Sequence, residues 1–281
     1  MSHDLASPRP DGPAARPPAE IETSGLTRRF GALTAVDHLT LAIARGTIFG
    51  LLGPNGAGKS TTLKMLTTLL PPSEGSARVA GLDLVRRPRE VRRRIGYVPQ
   101  LLSAEGALTA RENLMVFARL HGIPRRERRE RIRQALEMIG LLDSADVVVK
   151  RFSGGMIRRL EIAQAVLHRP SVLFLDEPTV GLDPIARRTV WDHVRDLRVR
   201  LGTTVLLTTH YMEEADELCD GVAILHQGQV AALGSPAELK AQVGGGATLD
   251  DVFAHFTGNT LETGGNYRDA ARTRRTARRL G

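Results

Sequence analysis

Gly53-Pro-Asn-Gly-Ala-Gly-Lys-Ser60 is the stretch that decides how the chain is read. Four residues separate Gly53 from Gly58-Lys59-Ser60, which is the spacing of a phosphate-binding loop. Ile48 to Leu52, just before it, reads as a short apolar strand. Leu63, Leu66 and Leu70 follow on one side of a helix that Pro71 and Pro72 stop. A loop between a strand and a helix start offers free backbone N–H groups and a positive helix end to an anion. Gly53, Gly56 and Gly58 let the main chain, with Pro54, Asn55 and Ala57 between them, curl around a phosphate without a Cβ in the way. Lys59 adds a point charge for the outer phosphates, and the Ser60 hydroxyl, followed by Thr61, can ligate Mg2+. An ordinary glycine-rich turn is the bland alternative, and the strand–loop–helix context argues against it.

A second half of such a site is an acid at the end of another apolar strand. Val172-Leu-Phe-Leu-Asp176-Glu177 supplies two. Neighbouring side chains at a strand end point in different directions, so Asp176 suits Mg2+, directly or through water, and Glu177 suits an attacking water. That pairing points to hydrolysis of the terminal phosphate rather than to binding alone; a solvated turn before Pro178 is the plain counter-reading. Thr204 to Leu207 forms a further apolar strand, and Val222 to Leu225 with Gln229 to Leu233 forms a hairpin turned at Gln227-Gly228. From about Thr109 to Leu142 charged and apolar residues alternate at helical spacing, a helical insertion. Short apolar strands alternating with helices predict an α/β fold with a mostly parallel core sheet covered on both faces.

Composition narrows the partners. The 281 residues are 42% hydrophobic, 25% charged and 4% aromatic, a globular composition with core enough for one or two domains. No apolar run of about 18 residues is present. Residues 1–20 are rich in Pro, Ala and Ser and lack an apolar segment, so they read as a disordered leader and not as a secretory signal. Cys219 has no second cysteine to pair with, which fits a reducing compartment. The net charge is +8. Half of that excess sits in the segment from Asn259 to Gly281, where six arginines face only Glu262 and Asp269. With so few aromatic residues there is no base-stacking platform, and no nucleic-acid partner is expected.

Arg151-Phe-Ser153-Gly154-Gly155-Met156 sets the class. A serine and two glycines at a helix start form a second anion-binding nest in the same chain. With it, the sequence resembles the ATP-binding cassette family, over roughly residues 22 to 240. The resemblance implies the P-loop fold of that type, in which the core sheet is joined by an antiparallel β portion and a helical subdomain, here about residues 105–165. It also implies ATP and Mg2+ as cofactors, and a head-to-tail dimer in which Ser153, Gly154 and Gly155 of one copy close over the γ-phosphate held by the other. Phe30 resembles the aromatic that stacks on adenine, and Gln100 the glutamine that touches Mg2+ and couples to the membrane subunit. Asp183 resembles the aspartate that crosses the dimer interface, and His210 the histidine at the γ-phosphate. Taken singly, Phe30 reads equally as a core aromatic, Gln100 as a surface residue and His210 as a satisfied strand-end histidine.

Two departures stand in the signature, where Phe152 and Met156 replace the usual leucine and glutamine. This variant, with Thr248-Leu-Asp-Asp-Val-Phe-Ala-His-Phe-Thr-Gly258, resembles the daunorubicin/doxorubicin resistance subfamily of exporter ATPases. Such a subunit implies a separate integral membrane permease and a place on the cytoplasmic face of the membrane, with residues 241–281 as a C-terminal extension ending in the basic tail. Two rivals stay open: a cassette ATPase acting on nucleic acid or ribosomes, and a module that senses ATP without consuming it. Export of lipid or polysaccharide is the alternative cargo. Arginine runs at Arg86–Arg94 and Arg125–Arg133 read as solvated helix faces or as contacts to anionic lipid.

Overall fold

The structure, a computed structural model, describes residues 19–258. The proposed leader, apart from Ala19 and Glu20, and the basic tail from Asn259 lie outside the described residues.

Alternation from Ile21 onward becomes two long antiparallel strands, β1 (Ala19–Phe30) and β2 (Leu33–Ala44). They join β4 (Glu74–Val79) and the two-residue β5 (Leu82–Asp83) in a four-stranded antiparallel sheet of order β2-β1-β4-β5. Between them in sequence, β3 (Ile48–Leu52) goes elsewhere. All five of its residues are buried, because it lies inside a six-stranded sheet of order β10-β9-β3-β8-β7-β6. The partners are β6 (Ile95–Val98), β7 (Val172–Asp176), β8 (Thr204–Thr209), β9 (Gly221–His226) and β10 (Gln229–Gly234). Strands β3, β6, β7, β8 and β9 run parallel, and only the β10 edge is antiparallel. Fully buried, apolar strands are what a doubly covered parallel sheet requires.

Helices cover both faces. On one, α1 (Lys59–Leu66) packs with the four-stranded sheet over Leu51, Phe174 and Leu206; α2 (Pro88–Arg94) adds Val91. On the other lie α6 (Pro184–Leu201) and α7 (Met212–Leu218), with Trp191, Val194 and Met212 against Leu173 and Leu207. The insertion forms α3 (Ala110–Leu120), started by a Thr109–Glu112 capping box, and α4 (Arg125–Met138). Both pack on α5 (Gly154–Val166) around Leu114, Leu136 and Leu160 as a separate apolar cluster. Of the six arginines of α4, Arg131 pairs with Glu127 and Arg133 with Glu130 and Glu137 on the helix's own surface.

Two details differ from the sequence reading. First, α1 stops at Leu66 rather than running to Leu70. Thr67 Oγ1 donates back to the Leu63 carbonyl at 2.8 Å and Thr68 takes φ +62°, so the helix closes before the prolines. Leu70 still packs against the core, from outside the helix. Second, the first part of the expected C-terminal extension, with Gly244–Gly246, is a turn inside the core unit. It joins α8 (Pro236–Val243) to α9 (Leu249–Thr257), each started by a capping box, and Leu249, Val252 and Phe253 of α9 are buried in the same cluster as Trp191. Burying side chains of this size is worth about 1.5–3 kcal/mol each.

One buried carboxyl ties the far-side helices together. Glu214 Oε1 accepts from Thr179 Oγ1 and from Trp191 Nε1, both at 2.8 Å. Burial raises the Glu214 carboxyl above its ordinary 4.5, against the hydrogen bonds of Thr209, Trp191 and Thr179. The folded chain therefore keeps a proton that the unfolded chain has released. The contribution is fully present below the ordinary value and is lost as pH rises through the raised one. Thermal melts across that range should show a falling Tm that Glu214→Gln flattens; equal slopes for the two proteins would contradict the assignment.

Candidate nucleotide site

The carboxyl ends of the parallel strands carry the site, as the switch from strand to loop in such sheets dictates. Gly53 has φ +149° and Gly58 φ +102°, and a Cβ on either would stand 2.3 Å and 2.5 Å from the carbonyls of Leu225 and Ala35. Only glycine allows the loop to lie this close to the strands beside it. No side chain caps α1, whereas Thr109, Ser235 and Thr248 cap their helices. The opening N–H groups of α1 thus have no side-chain acceptor and remain suited to an anion.

Lys59, 4% exposed, donates to the Gly53 carbonyl at 2.8 Å and the Pro54 carbonyl at 3.1 Å, and its Nζ lies 3.3 Å from Glu177 Oε1. Burial pushes its ammonium pKa down, and the Glu177 charge opposes that. Ser60 Oγ donates to Asp176 Oδ1 at 2.9 Å, and Thr208 Oγ1 donates to the same oxygen at 2.7 Å.

Strand β7 ends at Asp176, and Glu177 turns to φ +48°. A non-glycine residue held there costs about 1–3 kcal/mol and persists only where its surroundings fix it. Here the Glu177 N–H donates to Thr208 Oγ1 at 2.9 Å. The turn sends the two carboxylates apart: Asp176 to Ser60, Glu177 to Lys59, Gln100 and His210. Gln100 Nε2 donates to Glu177 Oε2 at 3.0 Å, while His210 Nδ1 lies 3.4 Å from Oε1, a loose contact. Contact with His210 and the Lys59 charge hold the Glu177 carboxyl below its ordinary value, against its burial.

Lys59, Ser60, Gln100 and Glu177 open onto a cavity of about 410 Å3, lined also by Phe30 and Gly56, while Asp176 and His210 are outside its lining and meet it through Ser60 and Glu177. Asn55, Gly58 and Thr61 complete its phosphate-loop side, with Ala35 opposite. Phe30 is 45% exposed, and the Arg28 guanidinium sits 4.6 Å from its ring centroid. It is a wall of the cavity and not a core aromatic. Gly53, Pro54 and Ala57 belong to the loop but not to the lining, and Ser153, Gly154, Gly155 and Asp183 line no part of this cavity either. Ser153 Oγ accepts from the Met156 N–H and so caps α5; the Asp183 carboxylate caps α6 through the Ile185 and Ala186 N–H groups. The first turns of α5 and α6 lie close together, since a Cβ on Gly155 would lie 2.9 Å from that of Ala186. Thr208 went unforeseen, because threonine in an apolar strand reads as β propensity.

The sheet order, the phosphate loop and the acidic strand end define a phosphate-loop ATPase. Residues 36–180 match the ABC transporter family. The chain is 49% identical over 229 residues to the daunorubicin/doxorubicin resistance ATP-binding protein DrrA of Streptomyces peucetius, spanning 82% of this chain and 69% of that one. It is 45% identical over 243 residues to the Nod factor export ATP-binding protein I of Sinorhizobium fredii, covering 86% and 69%. Among solved structures, an ATP binding subunit of an ABC transporter superposes with a TM-score of 0.75 at 32% identity over 84% of this chain and 99% of that one. The chain belongs to the ABC transporter family, and it hydrolyses ATP.

Proposed function

We propose that the chain is the nucleotide-binding subunit of a drug exporter, working as a homodimer against a separate integral membrane permease on the cytoplasmic side. The observation that carries the dimer is the separation just described. One chain holds a phosphate loop with its acids and, away from that cavity, a serine-glycine nest at the start of α5. A nest that lines no part of its own chain's cavity is free to close over a phosphate that a second copy holds. Among the described residues no helix is long and apolar enough to cross a membrane, so the proposal gives the pathway to the permease. The relative from S. peucetius supports drug export; the relative from S. fredii, named for Nod factor export, supports export as the general activity.

Within each site, Glu177 orients and polarises the attacking water, His210 steadies Glu177 and meets the γ-phosphate, and Lys59 takes the β and γ phosphates. Phe30 offers its ring to the adenine. Ser60, Asp176 and Gln100 would hold Mg2+. Their hard oxygens suit it, and the Ser60 and Asp176 oxygens already lie 2.9 Å apart. Mg2+ held by so few side chains would keep waters and take the rest of its shell from nucleotide phosphates. Bound with ATP, the ion neutralises charge on the phosphate oxygens. Two ATP molecules that fit only the closed dimer stabilise it by mass action, and hydrolysis removes that bridge.

Cysteines placed at Asn55 and Ser153 test the arrangement. Oxidation in the presence of ATP should join two different chains, with little cross-linking without nucleotide. A cross-link within one chain, or none at all, would refute the head-to-tail reading.

A further inference from the structure

Between β6 and α3 the chain passes from Pro99 to Ala104 without helix or strand. Its two leucines, Leu101 and Leu102, are 82% and 52% exposed, and of its apolar side chains Ala104 at its end packs on the helical cluster, so apolar burial holds little of it in place. Yet Gln100 in this loop must meet Glu177. What anchors it is one ion pair of α5. Arg158 Nη1 donates to the Pro99 carbonyl at 2.7 Å and Nη2 to the Gln100 carbonyl at 2.8 Å. The same Nη1 reaches Glu161 Oε2 at 3.0 Å. Glu161 Oε1 accepts from the Ser103 N–H, from Ser103 Oγ at 3.1 Å and from the Ala104 N–H at 3.3 Å. Both side chains are nearly sealed from solvent, 3% and 2% exposed.

We propose that Arg158 and Glu161 are positioning residues of the ATPase, a buried strap that fixes residues 99–104 on α5 and so sets Gln100 against Glu177. The inference rests on the proposed roles of Gln100 and Glu177. Residues three apart on a helix meet side by side, so the pair presents one cation and one anion to the same stretch of chain. The cation takes carbonyls at the start of the loop and the anion takes N–H groups at its end. A buried pair kept for stability alone has little advantage over apolar residues of equal volume. This one spends its hydrogen bonds on the backbone of a segment that lacks secondary-structure partners, which is a geometric service. Because Ser153 caps α5, the strap also makes the Gln100 loop and the signature nest parts of one mechanical unit.

Removing one partner leaves a buried charge and risks unfolding, so the test replaces both, Arg158→Met with Glu161→Met, in the full chain. Expected are a kcat about tenfold lower, a KM for ATP and a Tm close to those of the parent, and faster hydrogen exchange at the Ser103 and Ala104 amides. Arg158→Lys, which keeps the charge but not the fork to two carbonyls, should fall between. A double variant with parental kcat, or with unchanged exchange at those amides, would overturn the proposal. So would a kcat loss matched by an equal rise in KM, which reports general damage to the cavity. Gln100→Ala is the control: parental kcat there would defeat the role of Gln100 itself, while the exchange data would still judge the strap.

Discussion

Glu177→Gln is expected to lower kcat about a hundred- to ten-thousand-fold, the range over which a positioned general base acts. The substitution keeps shape and hydrogen-bonding capacity and removes only the carboxylate that would accept a proton from water. Its surroundings explain why charge and not size is the issue. Lys59 Nζ lies 3.3 Å away and Gln100 Nε2 3.0 Å away, so the group is already placed, and an amide fits the same space. ATP affinity should therefore survive, and the ATP-bound dimer should accumulate and elute as a dimer in sizing chromatography. The pH profile gives a second reading. His210 and Lys59 hold the carboxyl below its ordinary 4.5, so this group stays ionised from neutral pH down through that value, and any fall of kcat above it belongs to another residue. Parental turnover in Glu177→Gln would remove Glu177 from the mechanism.

How far the site was legible follows from how local its geometry is. The phosphate loop is a continuous octapeptide in which Gly53 and Gly58 are demanded by contacts to Leu225 and Ala35, so the sequence pattern and the fold agree there. Asp176 and Glu177 were readable for the same reason, as the end of an apolar strand. Phe30 was undecided in sequence, since an aromatic in an alternating strand serves a core or a surface equally; the 45% exposure on the cavity wall decides it. Thr208 could not be found, because its role depends on β8 lying beside β7, a contact across 32 positions. Arg158 and Glu161 hid inside a helix where charges three apart look like surface pairing. Glu214 hid in an acidic helix start. The end of α1 was misplaced because Leu70 continues the apolar pattern while Thr67 and Thr68 turn the backbone. Residues 241–281 read as an extension because the basic tail dominates that stretch, but α9 within it returns to the core.

Losing the Lys59 contact alone, in Lys59→Ala, should weaken ATP binding by about ten- to a hundredfold, the equivalent of the roughly 1.5–3 kcal/mol of a hydrogen bond to a charged group, and the whole effect should be larger. The structure shows why the effect has two parts. Lys59 offers its ammonium to phosphates, and it also neutralises Glu177, whose carboxyl its charge holds down. With the lysine gone, the carboxylate stands uncompensated in the cavity where the phosphates bind, and like charges there repel. Lys59→Ala should consequently bind ATP less well than loss of one contact implies, and adding Glu177→Gln should restore part of that loss. In the parent background the same Glu177→Gln change should leave binding little altered. Titration calorimetry on the four proteins measures this directly as a non-additive cycle. Strict additivity would mean that Lys59 and Glu177 act independently despite their 3.3 Å separation. Unchanged affinity in Lys59→Ala would reject the phosphate-loop assignment from which the site was built.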